Sequence, residues 1–204
     1  MKILTRKDTL SALVTGLTTG IVAWRILVYL DIGLPLGIPT WTLAVAVPAI
    51  WIFGVQLGYT VSAYWRPMAQ FGRFAAIGFA NTAVDFGLLY VFIGLTDLAA
   101  GSAYALFKAF SFTVATVHSY FWNKFWAFEA GASRGGSREV ARFAAVALAS
   151  VLVNTVTASV VVALRPGAIA AAPWAGVGAA AGSAVALIFS FIGFRVFVFR
   201  KKQV

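Results

Sequence analysis

Four ionisable side chains stand inside long apolar stretches of this 204-residue chain: Arg25, Asp85, Lys108 and His118. A charge inside a hydrocarbon core is costly, so each is a candidate functional group. Asp85 and Lys108 fall in consecutive stretches, where the long lysine stem can reach the carboxylate. Lys108, Ser111, Ala115, His118 and Trp122 recur at three- and four-residue spacing, which sets them on one face of a helix. Asn81 and Asp85 share a face for the same reason. If the two faces oppose each other, they line a polar groove through half of a membrane. Protonation of Asp85 would remove its charge and change its pairing with Lys108, which is one route to ion coupling. Each residue also has a plainer reading. Asp85–Lys108 can be an ion pair that only joins two helices, and Arg25 can snorkel to the outer head groups. His118 can be a neutral packing residue, and Asn81, Asn123 and Asn154 can be interhelical glue.

These residues need long apolar elements to hold them, and the composition supplies little else. The chain is 61% hydrophobic and 11% charged, against roughly 25% charged residues in a soluble domain. Six spans fit, over about residues 10–30, 40–64, 71–95, 102–125, 140–164 and 173–199. Each is long enough to cross a core about 30 Å thick. Alternating ten-residue segments, the mark of membrane β-strands, are missing. Most Lys and Arg fall in four clusters: Lys2, Arg6 and Lys7; Arg66 and Arg73; Lys124, Arg134, Arg138 and Arg142; Arg195, Arg200, Lys201 and Lys202. An apolar hairpin separates each cluster from the next, and the hairpin tips at 31–39, 94–101 and 165–173 carry only Arg165. By the positive-inside rule the chain is an all-α integral membrane protein of three hairpins, with both termini cytoplasmic. The apolar run after Lys7 is too long for a cleaved signal peptide and reads as an uncleaved first helix. Trp65, Trp122 and Trp126 near the inner interface, and Trp41 and Trp174 near the outer one, read as an aromatic belt.

The net charge of +10 raises nucleic acid as a partner, but the clusters are short and lie against the spans. They read as topology signals that touch anionic membrane lipids. The absence of cysteine and the single histidine exclude disulfides, a thiol nucleophile and an ordinary zinc site, and no cofactor is expected. Gly16/Gly20, Gly54/Gly58 and Gly178/Gly182 are small-xxx-small pairs. They suit packing within the chain or self-association, and a homo-oligomer is the expectation.

The second and third hairpins read as copies. Arg73-Phe74-Ala75-Ala76-Ile77 aligns with Arg142-Phe143-Ala144-Ala145-Val146, which sets Asp85 against Asn154. The segment 114–128 aligns with 185–199, which sets Lys124 against Arg195 and Phe128 against Phe199. With two spans in each unit, this is a parallel internal repeat, repeat one over 71–128 and repeat two over 140–199. Transporters often place a site between such repeats.

The Arg-Phe opening of a span, Asn81 before its middle, and an ending of Asn123, Lys124, Trp126 and Phe128 resemble the GtrA-like family of bacterial membrane proteins. The second copy ends in Phe194, Arg195, Phe197 and Phe199, without the asparagine. The resemblance covers about 71–200, so 67–204 is the GtrA-like four-helix domain and 1–66 an additional N-terminal hairpin. It implies a role in cell-envelope polysaccharide assembly in the bacterial cytoplasmic membrane, by translocation of a polyprenyl-phosphate-linked sugar to the outer leaflet. Such a substrate needs cations for its phosphate and polar groups for its sugar. Arg25 and Lys108 suit the phosphate, and Asn81, Asp85, Ser111, His118 and Asn123 are further substrate-binding candidates.

Other functions remain open. The protein can be a non-catalytic scaffold that recruits a glycosyltransferase through its basic rim. A cation or drug transporter would use Asp85, though Lys108 and Arg25 oppose a cationic cargo. An enzyme is disfavoured, because there is no paired-carboxylate or metal-ligand constellation and no room for a sugar-nucleotide domain. No Gly-rich nucleotide loop ending in Lys-Ser/Thr occurs, so the chain is not its own ATPase.

Overall fold

The structure is a computed structural model that describes residues 4–132, 135–167 and 171–199. Lys2, Arg134, the basic tail from Arg200 onward and part of the third hairpin tip lie outside the described residues. The described residues are helical apart from their connections, with no strand. Six α-helices form the expected three hairpins: α1 (Arg6–Tyr29), α2 (Leu43–Val61), α3 (Met68–Thr96), α4 (Gly101–Trp122), α5 (Gly136–Ala163) and α6 (Ala171–Gly193). Large apolar side chains face outward, among them Phe53, Leu106 and Leu152. An exterior this apolar suits lipid rather than water.

Five of the six helical segments are long and apolar enough to cross a membrane, with α4 the exception. Its 22 residues suffice in length, but Lys108, Ser111, His118 and Ser119 lower its hydropathy. The polar face therefore depends on α3 for cover.

The chain divides into two compact units, Met1–Glu129 and Ala130–Val204. In the first, α1, α2 and α3 pack on one another and α4 packs on α3. Close approach depends on glycine. A Cβ at Gly16 would come within 2.5 Å of Pro48 Cα, and one at Gly58 within 2.8 Å of the Met68 carbonyl. The start of α1 is fixed by a capping box, in which Thr5 Oγ1 accepts from Asp8 N–H and the Asp8 carboxylate accepts from Thr5 N–H. Asp97, in the left-handed region at φ 56°, ends α3. In the second unit α5 packs on α6, with Gly178 against Val162 and Gly182 against Asn154. Five of the six paired glycines thus serve packing within a unit. Gly54 alone among them has open space at its Cβ.

The repeat recurs in local geometry. Both α4 and α6 run into a five-residue π-helical turn, Asn123–Ala127 in one and Phe194–Val198 in the other. Phe128 N–H donates to the Asn123 carbonyl at 2.9 Å, and Phe199 N–H to the Phe194 carbonyl at 2.7 Å. Phe74 and Phe128 meet with ring centroids 6.0 Å apart at 56°; Phe143 and Phe199 meet at 6.2 Å and 54°.

Candidate functional site

The α3–α4 hairpin holds the polar cluster. Lys108 Nζ donates to Asp85 Oδ2 at 2.5 Å, and Ser111 Oγ donates to Asp85 Oδ1 at 2.6 Å. Both carboxylate oxygens are thereby engaged from one face of α4, at residues three apart. Ser111 is fully buried, the Asp85 side chain is 14% exposed and that of Lys108 is 37% exposed. The lysine is therefore the more exposed partner, with the carboxylate behind it. The ammonium also lies 5.1 Å from the Phe86 ring centroid. It carries three N–H donors, and Asp85 takes one. The cluster is charge-balanced yet keeps donor capacity for an incoming oxygen.

Below it, toward the end where the basic clusters lie, are buried polar atoms without partners among the described residues. They include Asn81 Oδ1, His118 Nδ1 and Asn123 Oδ1. Asn81 is one helical turn from Asp85 on α3. His118 lies on α4 with its ring 6.1 Å from that of Trp122. Asn123 is fully buried and donates back to the Ser119 carbonyl at 2.8 Å and to Ser119 Oγ at 3.2 Å.

Arg25 is not joined to this cluster. It is exposed on α1, with its guanidinium 5.9 Å from the Trp24 ring. It forms no ion pair or hydrogen bond among the described residues. The structure thus unites Asp85, Lys108 and Ser111 and leaves Arg25 apart.

A second polar centre, near the start of α3, escaped the reading of spacing. Asp8 on α1 is 3% exposed and accepts from Tyr59 OH at 2.8 Å and Trp126 Nε1 at 3.0 Å. Arg73 on α3, 6% exposed, has its Nε 3.6 Å from the same carboxylate. Its Nη1 donates to the Trp126 carbonyl at 2.8 Å and to Glu129 Oε1 at 2.7 Å, and its Nη2 to Tyr59 OH at 3.0 Å. The centre ties α1 and α2 to both ends of repeat one. It also corrects the belt assignment of Trp126, which is 1% exposed and hydrogen-bonded inward. Trp41 and Trp65 are exposed, as belt residues are. The available sequence signal was the Thr-x-x-Asp capping box at Thr5 and Asp8, together with the Arg-Phe pair that opens both copies.

No curated protein and no solved structure matches the chain. The profile of the GtrA/DPMS transmembrane domain matches residues 73–199, from the buried Arg73 to the Phe199 that closes repeat two. The match spans more than half of this multi-pass membrane protein and leaves out Arg25, Asp8 and Tyr59. The chain belongs to the GtrA/DPMS transmembrane-domain family.

Proposed function

We propose that the protein translocates a polyprenyl-phosphate-linked sugar across the bacterial cytoplasmic membrane for cell-envelope polysaccharide assembly, with both termini in the cytoplasm. It acts without catalysing a covalent step. The observation that carries this reading is the Lys108–Asp85–Ser111 cluster, set within a hairpin of the family-matched region. A sugar in transit needs acceptors and donors where lipid offers none, and a phosphate needs a cation. The partly exposed ammonium of Lys108 supplies charge and donors, and Asp85 accepts from sugar hydroxyls when they displace a protein donor. The family membership supports a role in handling lipid-linked sugars. Within this reading residues 67–204 form the family core and 1–66 an added hairpin.

The test is flipping of a labelled polyprenyl-phosphate sugar in proteoliposomes. Lys108→Ala and Asp85→Asn, checked for folding by monodisperse elution, are expected to slow flipping by about tenfold or more, the equivalent of about 1.4 kcal/mol. Unchanged flipping in both variants would remove the cluster from the mechanism. No flipping by the wild type with any sugar tested, while both variants restore envelope modification in cells, would favour a scaffold that recruits a glycosyltransferase.

A further inference from the structure

Between α1 and α3, with Val114 of α4 at one wall, runs an open groove of about 630 Å³. That is within the range of ligand sites, about 300–1,000 Å³. Arg25 is the one charged residue on its lining. Tyr29 and Tyr90 line it too, their rings 5.7 Å apart and edge to face. The rest of the wall is apolar, including Gly87, Leu88 and Val114.

The polar groups collect at one end. Arg25 is four residues from the last residue of α1, about 6 Å at 1.5 Å per residue. Tyr29 is that last residue, and Tyr90 is six residues from the end of α3, about 9 Å. All three residues therefore lie within about 9 Å of the outer ends of their helices, opposite the basic clusters. Neither phenol, nor Arg25, has a hydrogen-bond partner among the described residues. The groove continues from them toward the middle of α3, at Ala83 and Val84. A cation with two hydroxyls at the interface, above an apolar trough, is complementary to an anionic head on a long hydrocarbon chain. Arginine binds phosphate oxygens in a planar fork.

We infer that this groove seats the polyprenyl phosphate of the lipid-linked sugar, with its phosphate on Arg25, Tyr29 and Tyr90 and its first isoprene units along α3. The assignment rests on the function proposed above, which selects a polyprenyl carrier over an ordinary anionic phospholipid. Position also favours the carrier. Leu88 is one helical turn from Asp85 and Val114 one turn from Ser111, so the trough borders the polar cluster. The decisive cation comes from the N-terminal hairpin, outside the family-matched residues, so this hairpin contributes a wall of the site. Because the head group lies in the outer part, the groove is the station of the carrier in the outer leaflet.

The probe is a sugar-free polyprenyl monophosphate with a photoreactive group in its first isoprene units, added to the full-length protein in nanodiscs. The expected result is labelling of peptides from 21–29 and 83–91, reduced about tenfold by Arg25→Ala, a loss of about 1.4 kcal/mol. Leu88→Trp, which fills the trough without touching the cation, is expected to reduce labelling as well. Arg66→Ala, which removes one charge at the other end, is expected to leave it unchanged. Equal labelling by the neutral polyprenol, equal competition by phosphatidylglycerol, or labelling indifferent to Arg25→Ala and Leu88→Trp would each overturn the assignment. Arg25-dependent labelling in a protein that flips no sugar would sustain the groove and sink translocation. Flipping that persists with labelling indifferent to Arg25 would do the reverse.

Discussion

Repeat one and repeat two share a frame and differ in what fills it. Where repeat one has Asn123, fully buried and bonded to Ser119, repeat two has Phe194, whose ring stacks on Phe143 at 4.4 Å. Asp85 aligns with Asn154, and Ser111 with Gly182. In repeat one those two positions make a hydrogen bond of 2.6 Å. In repeat two they touch so closely that a Cβ on Gly182 would lie 2.5 Å from Asn154 Oδ1. The same helix–helix contact is thus polar and ionic in one copy and tightly packed in the other. Since repeat two keeps the π-helical turn and the phenylalanine pair without the charges, the charges are not what the frame requires. The chemistry of Asp85 and Lys108 is an addition to a scaffold that stands without it.

The opening arginines sharpen this contrast most. Arg73 is buried between Asp8, Tyr59, Glu129 and the Trp126 carbonyl, whereas its counterpart Arg142 is exposed. Arg73→Ala strips a buried carboxylate of its cation and is expected to cost about 3–5 kcal/mol. Arg142→Ala should change stability by less than about 0.5 kcal/mol. Thermal unfolding of both variants in one detergent measures the difference, and equal shifts would break the comparison. A smaller effect follows at the aligned aromatic positions. Trp126→Phe leaves Asp8 one donor short and should cost about 1–2 kcal/mol. Phe197, 64% exposed, should accept leucine with a change below about 0.5 kcal/mol. A Trp126→Phe protein as stable as the wild type would show that Tyr59, Thr5 and Arg73 suffice for the carboxylate.

What could be read in the sequence follows from how far each interaction reaches along the chain. The Asp85–Lys108–Ser111 cluster lies within one hairpin, and charges amid apolar residues stand out, so helical spacing found it. The centre at Asp8 joins residues 51 and 118 positions apart, and spacing carries no trace of such pairs. Trp126 near a helix end looks like any interfacial tryptophan until Asp8 is placed beside it. The sequence put Arg25 within reach of the outer head groups, but that does not say which neighbour a side chain meets, and Arg25 meets no part of the cluster. The glycine pairs were legible as close-contact positions. Their partners were not, since Gly16 and Gly20 turn to α2 and Gly178 and Gly182 to α5. A homo-oligomer, which we keep as a proposal, therefore draws little support from them.

The finest test of the contrast between repeats is Ser111→Ala. The substitution removes the hydroxyl that holds Asp85 Oδ1 and keeps the helix, the lysine and the packing volume nearly intact. Interhelical hydrogen bonds in membranes are worth about 0.6 kcal/mol on average, so unfolding should shift only slightly, far less than for Arg73→Ala. Repeat two, with glycine at the aligned position, already shows that the frame tolerates loss of this hydroxyl. Transport should respond more than stability does, because Lys108 then holds the carboxylate alone and Asp85 Oδ1 is free to turn. Flipping measured beside unfolding separates the two roles. A loss of flipping with unchanged stability assigns Ser111 to orienting the carboxylate for substrate. A large loss of stability would instead mean that the polar cluster holds the α3–α4 hairpin together. Repeat one would then depend on its charges for the frame that repeat two builds without them.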